Sequence, residues 1–400
     1  MRREGCVTIL LVILAASLAA QSSQTPKRFL SGPLVIEDQG SFFVGGVQKI
    51  TDYAVVAPPQ APGAPAQSPA GPTPQQITIG QMYVQFQIPA KKYGAGWPVI
   101  MVHGSTHTGA CLESTPDGRE GWYPYFVRHG VPSYVVDQAG RGRSGFDASV
   151  IHEGEARFVG GDVTGGAALI PGFGRITDNG AWTAWFGHLV PTGSTVLTGT
   201  LVPHGDSRDP NPKPDAYQHV APLFPLNTVD PNLVSRTGAI GPAPAGSNGY
   251  YALEYYKQLV PNAEATLPPS TCASCDPKDL SPANTWTPQN LATLVERLGG
   301  AIVVTHSQSG IMGHHMARIL KERGRLDLLK GLMTLEGSCS LSNSGLTAAD
   351  FDNIPYLALK GDYTAGSTVC QETVSAINAR RAADQGSASI SSWTTWAFSV

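Results

Sequence analysis

The stretch Ala301-Ile302-Val303-Val304-Thr305-His306-Ser307-Gln308-Ser309-Gly310 decides how this chain is read. Its four leading apolar residues fit a parallel strand buried on both faces. Directly after it, Ser309 to Arg323 fits a helix, with Gly324 as its stop. A strand that turns into a helix through a single serine is the context of a nucleophile elbow, whose usual form is G-x-S-x-G. The turn is tight, so the residues two before and two after the serine must be small. Here they are Thr305 and Ser309; the second replaces glycine easily, the first is bulkier. Such a turn lifts the Ser307 oxygen above the sheet. It also aims the Gln308 amide and the helix N-terminus at a developing oxyanion.

Outward from that point the same alternation continues. Val99 to Val102 is a second buried strand, ending at His103-Gly104. The Ser105 amide is the candidate second oxyanion donor, with Gly104 allowing close approach and His103 bracing the loop. A helix fits Trp122 to His129 with Gly130 as its stop, and Tyr134 to Val136 is the next strand, followed by a loop from Asp137 to Gly145. Thr287-Pro288 starts a helix that runs to Leu298 and stops at Gly299. Gly331 to Leu335 and Ile354 to Leu359 are further strands, and a helix fits Val369 to Ala383. Strands alternating with helices give an α/β fold with a mostly parallel central sheet. Ahead of it, Leu34 to Ile36 and Ser41 to Val44 read as hairpin strands turning at Gly45-Gly46, and Gln81 to Ile88 alternates like a half-buried strand. The organisation is therefore residues 27–149 and 287–385 as two halves of one core. A Pro-rich surface loop at 57–75 interrupts the first half, and an inserted cap at 150–286, rich in Gly, Pro and aromatics, separates the two.

Composition narrows the function. Only 14% of the 400 residues are charged, and Lys+Arg 27 against Asp+Glu 30 leaves a net charge of −3. There is no basic surplus for nucleic acid. Residues 1–20 carry Arg2-Arg3, an apolar run from Val7 to Leu14 and small residues to Ala20. This reads as a secretory signal peptide, with an uncleaved anchor as the alternative, and predicts a secreted chain with no membrane span after cleavage. Export favours disulfides. Once Cys6 leaves, five cysteines remain, so at least one is unpaired within the chain. Cys272-Ala-Ser-Cys275 suits a small loop disulfide, Cys339 and Cys370 are a possible second pair, and no metal site is spaced among them.

Taken together, these segments resemble the α/β-hydrolase superfamily. More narrowly, they resemble a group of secreted esterases whose elbow reads His-Ser-Gln-Ser-Gly, here His306-Ser307-Gln308-Ser309-Gly310. The resemblance runs through Gln39 to Gly46, Gln81 to Val84, His103-Gly104, Thr115 to Arg119 and Asp137 to Ser144. It implies Glu336 as the acid, at the end of the strand after the nucleophile. The residues agree, since ligand-binding groups gather at the C-terminal edge of such sheets. Asp362, ending the fifth strand, is the alternative acid. Some relatives place two adjacent cysteines after the His-Gly; here Ser105 and Thr106 stand there. The triad order is Ser, acid, His, yet none of the ten histidines follows His315, so the general base is unknown. The uncharged tail 386–400 shifts composition abruptly, and is read as a truncated or frame-shifted end lacking the remaining strand, histidine loop and helix. The expected function is a serine hydrolase of small carboxylic esters, working through an acyl-enzyme without a cofactor. The rivals are a hydrolase-like fold that only binds a ligand in its cleft, and lyase or dehalogenase chemistry, which the serine at the elbow disfavours.

Overall fold

The computed structural model describes residues 30, 32–55, 70–93, 96–115, 119–170, 174–176, 181, 187–191, 199–203, 255–262, 286–361, 368–385 and 393–396. The expected signal peptide at 1–20, the Cys272–Cys275 loop and Asp362 lie outside these residues.

The strands are β1 (Ile36–Val55), β2 (Ala70–Pro89), β3 (Val99–Val102), β4 (Ser133–Asp137), β5 (Gly187–Pro191), β6 (Gly199–Pro203), β7 (Ala301–His306), β8 (Leu329–Leu335), β9 (Tyr356–Gly361) and β10 (Trp393–Trp396). Eight of them form one sheet in the order β1-β2-β4-β3-β7-β8-β9-β10, while β5 and β6 make a separate antiparallel ribbon. β2 runs antiparallel to both β1 and β4; from β4 to β10 every pairing is parallel.

Among the described residues, besides the one-turn helix Ala110–Glu113, six longer α-helices accompany them: α1 (Trp122–Arg128), α2 (Ser149–Val159), α3 (Val163–Leu169), α4 (Trp286–Arg297), α5 (Ser309–Glu322) and α6 (Val369–Gln385). The central strands are buried on both faces because successive side chains feed two cores. Ile100, Val102 and Val136 join Leu291 and Leu294 of α4, Met316 and Leu320 of α5, and Ile377 of α6. Val99, Met101 and Val135 join Tyr123 of α1 on the other side. Burying each such side chain stabilises the fold by about 1.5–3 kcal/mol.

Three expectations need correction. First, Gly45-Gly46 does not turn a hairpin: β1 continues for 20 residues and pairs with β2 along its length. The glycines instead make room for α4. A Cβ on Gly45 would fall 2.1 Å from the Asn290 Oδ1, and one on Gly80 of β2 would fall 2.5 Å from the Trp286 ring. Asn290 Nδ2 then donates to the Gly80 carbonyl at 2.7 Å. Secondly, β2 begins at Ala70, inside the segment expected to be a Pro-rich loop. It occupies a place where ladder donors can be spared, because pairing with β1 persists through Pro74. Thirdly, the tail read as lacking a further strand supplies β10, paired with β9 from Trp393 to Trp396. Trp-Thr-Thr-Trp is built of aromatic and β-branched residues, which favour strands whatever the surrounding composition.

Cys339 and Cys370 are joined as a disulfide across 31 residues of sequence. It ties the loop after β8 to the first turn of α6 and restricts the unfolded chain by about 3–4 kcal/mol. Cys111 is free.

Candidate active site

The elbow forms as its sequence demands. Ser307 sits between β7 and α5 with φ 54°, a left-handed conformation that costs a non-glycine residue about 1–2 kcal/mol. Hydrogen bonds hold it there: its N–H donates to the Leu335 carbonyl at 2.8 Å, and its carbonyl accepts from Gly310 at 3.0 Å. The two departures from glycine are both accommodated. Ser309 Oγ accepts from the His306 N–H at 2.8 Å and lies 3.0 Å from the Val102 carbonyl, stitching β7 to β3. Thr305 is fully buried, and its methyl lies against Gly313 of α5, where a Cβ would approach to 2.7 Å. The bulk added at one position is thus removed at another. Gly310 and Gly337 bring α5 against the loop after β8. A Cβ on Gly310 would stand 3.0 Å from the Gly337 Cα, and one on Gly337 would stand 2.7 Å from the Ser307 carbonyl oxygen.

Glu336 follows β8, which neighbours β7 in the sheet, and its φ is 51°. Its N–H donates to the Leu359 carbonyl at 2.7 Å. Because His306 pairs with Leu335, Ser307 and Glu336 stand side by side at adjacent strand ends.

On the other side of β7, β3 leads into Gly104 and Ser105. A Cβ on Gly104 would lie 3.0 Å from the Ser307 Cβ, so glycine lets the loop come up against the Ser307 side chain. Among the described residues, neither the Ser105 nor the Gln308 amide donates a hydrogen bond within the protein. The next residue, Thr106, has φ 57°. Thr106, Ser307 and Glu336 are the positive-φ non-glycine residues among the described residues; Ser307 and Glu336 directly follow β7 and β8, and Thr106 lies in the loop after the neighbouring β3. Strained residues gather where function fixes them.

Buried polar groups hold this edge rigid. His103 is fully buried; its Nδ1–H donates to the Gly104 carbonyl at 2.9 Å, and its Nε2 accepts from the Gln138 N–H at 3.0 Å. Burial first, and the charge of Arg141 second, push its pKa down to about 3, so it is neutral. Arg141 donates to the Gly104 carbonyl at 3.0 Å and to the Gln308 side chain at 2.5 Å. Burial disfavours the charged form of Asp137, but hydrogen bonds from Arg143 and the Gly109 N–H outweigh it and hold that carboxyl below its ordinary range. Burial drives the Cys111 thiol up to about 12, with Asp137 adding to the effect, so it is no nucleophile.

The histidines nearest the elbow are engaged elsewhere. His107 bridges the Ser105 carbonyl at 2.8 Å and the Tyr255 hydroxyl at 3.0 Å. His314 bridges the Gly310 carbonyl and the Tyr356 hydroxyl. Burial lowers His306 to about 4. Among the described residues, no histidine hydrogen-bonds the Ser307 hydroxyl.

No family model matches the chain. The structure is similar to that of a novel bacterial esterase, with a TM-score of 0.57 and 25% sequence identity, covering 94% of this chain and 89% of that one. The chain has the α/β-hydrolase fold. A shorter stretch of sequence is 38% identical over 71 residues to a probable secreted lipase, phiG, from Fungal sp. strain ATCC 74256. That match takes in 16% of this hydrolase-fold chain, which spans only 20% of the lipase's length.

Two supports of the site were missed from sequence. Asn262, within the insertion, donates to Ser105 Oγ and accepts from the Thr106 N–H, both at 2.7 Å. The Val260 N–H reaches the Thr106 carbonyl at 2.7 Å. Arg141 belonged to a recognised segment, but its reach to both Gly104 and Gln308 has no sequence signature. The glycines flanking it, Gly140 (φ 81°) and Gly142 (φ 48°), were the available hint of a tightly wrapped loop.

Proposed function

We propose that this chain is a secreted serine hydrolase that cleaves carboxylic esters through an acyl-enzyme. The observation that carries the reading is the pairing of Ser307 and Glu336, both in left-handed backbone directly after the adjacent strands β7 and β8, with left-handed Thr106 in the loop that follows the neighbouring β3. In this reading Ser307 Oγ attacks the ester carbonyl. The Ser105 and Gln308 amides receive the developing oxyanion, and the alcohol leaves to give an acyl-serine that water then hydrolyses. Glu336 acts as the acid that orients the base. No histidine follows Glu336 in the 400 residues, and the base is left unassigned. The similarity to a bacterial esterase over most of both chains supports ester chemistry, and the partial match to a secreted lipase supports both ester chemistry and export. Among the described residues, no helix is long and apolar enough to cross a membrane.

A hydrolase-like fold that binds a ligand without turnover is the second reading. It is favoured by the engagement of His103, His107 and His314 with partners other than Ser307. A fluorophosphonate probe and p-nitrophenyl esters separate the two. The expected result is covalent labelling and turnover, both abolished in Ser307→Ala. Folded protein that neither labels nor turns over would establish the second reading.

A further inference from the structure

We propose that Arg141 is a positioning residue that aims both oxyanion amides at once, through the carbonyl of one and the side chain of the other. The use of those amides rests on the serine-hydrolase reading above; their orientation does not. Gly104 C=O and Ser105 N–H belong to one planar peptide and point in opposite directions. Fixing the carbonyl therefore fixes the amide. Arg141 Nη1 donates to that carbonyl at 3.0 Å, and His103 Nδ1 donates at 2.9 Å, so two donors pin the plane. Arg141 Nη2 meanwhile holds Gln308 Oε1 at 2.5 Å. Gln308 is the residue whose N–H is the other candidate donor, at the start of α5.

Arg141 as a residue is 2% exposed, which sets it apart from a surface charge. In a buried setting a charged donor on a peptide carbonyl also polarises that peptide, making its N–H a stronger donor. Burial first, and the Arg141 charge second, keep the neighbouring His103 neutral. Only arginine has the fork to reach two acceptors on different segments, since an ammonium is a point charge. The surrounding loop has supports besides Arg141. Gly109 and Arg143 hold Asp137, and Ser144 Oγ donates to the Asp137 carbonyl at 2.5 Å.

The test uses the full chain with Arg141→Met and Arg141→Lys, followed by fluorophosphonate inactivation. Loss of one oxyanion donor slows acyl transfer by about 10²–10³-fold. Misaiming two without removing them should slow the maximal inactivation rate by about 10–100-fold in Arg141→Met, with the probe's binding constant nearly unchanged. Arg141→Lys, which keeps the charge but reaches one acceptor, should fall between. Arg141→Met that inactivates at the wild-type rate would overturn the proposal, as would Met and Lys variants slowed equally. Should Arg141→Met fail to fold, Gln308→Leu removes one arm alone, and an unchanged rate there overturns the proposal equally. If wild-type protein takes no label, the nucleophile reading fails, and crystal structures of wild type and Arg141→Met decide the positioning role. A rotated Gly104–Ser105 peptide supports it, and an unmoved one refutes it.

Discussion

The two edges of the parallel sheet solve the same problem with different residues. Where helices return to strands, the chain reverses through glycines in left-handed backbone: Gly130 before β4, Gly299 before β7 and Gly324 before β8. Where β3, β7 and β8 lead out, the left-handed positions are Thr106, Ser307 and Glu336. Glycine would adopt these turns without steric penalty. A side chain kept there is worth more than the strain it causes, and the surrounding hydrogen bonds must hold it. The contrast separates turns that merely connect from turns that present a functional group. β4 combines both: Gly140 and Gly142 supply the freedom, and Arg141 between them supplies the contact.

The sharpest break of this contrast is chemical. Glu336→Gln keeps the strained turn but neutralises the proposed acid, and turnover of p-nitrophenyl esters should fall by about 10⁴-fold. An unchanged rate would reduce Glu336 to a loop residue and make the left-handed trio coincidental.

Acid should come next. His103 is pushed down to about 3, and His306 and His314 to about 4, by burial in each case. The unfolded chain therefore takes up protons as pH falls below 6.5 while the folded chain does not. Stability should decline by roughly 1.4 kcal/mol per pH unit for each histidine, levelling off once the folded values are reached. Urea midpoints between pH 7 and 5 would show it, and His314→Gln should flatten the slope by about one proton. An unaltered slope would mean that His314 is not held neutral.

Glycine at the two edges should differ next. Gly337→Ala places a Cβ 2.7 Å from the Ser307 carbonyl, and about 1–3 kcal/mol of overpacking should appear as a lowered Tm, together with slower labelling of Ser307. Gly324→Ala meets nothing within 4 Å and should lose only the left-handed penalty of about 1 kcal/mol, with labelling untouched.

The smallest effect runs the other way. Thr106→Gly relieves strain and should raise stability by up to about 1 kcal/mol. A fall in stability instead would show that the threonine side chain contributes more than its backbone costs.

Much of the core was legible because the forces that form it are local. Apolar runs such as Val99 to Val102, and stops such as Gly130, Gly299 and Gly324, act within a few residues. The turn from β7 into α5 was legible for the same reason, and Glu336, which the resemblance implied, lies directly after the next strand. What escaped depends on partners far away in sequence. Gly45 and Gly80 carry the mark of a turn, but their smallness serves α4, some 200 residues later. The helices α2 and α3 were hidden in a segment whose Gly-rich composition masks periodicity; α3 itself reads Val-Thr-Gly-Gly-Ala-Ala-Leu, capped by Asp162. Asn262 reaches Ser105 across 157 residues, and no motif announces such a bond.

That bond has a practical corollary for anyone wishing to redesign the molecule. Tyr255 to Asn262 belong to the interruption between the two core halves, yet they grip the Ser105–His107 loop through Tyr255, Val260 and Asn262. Grafting a foreign segment in place of the whole insertion would strip that grip from the proposed active-site loop. A chimera that retains this short anchor could exchange the remainder for new selectivity without surrendering speed.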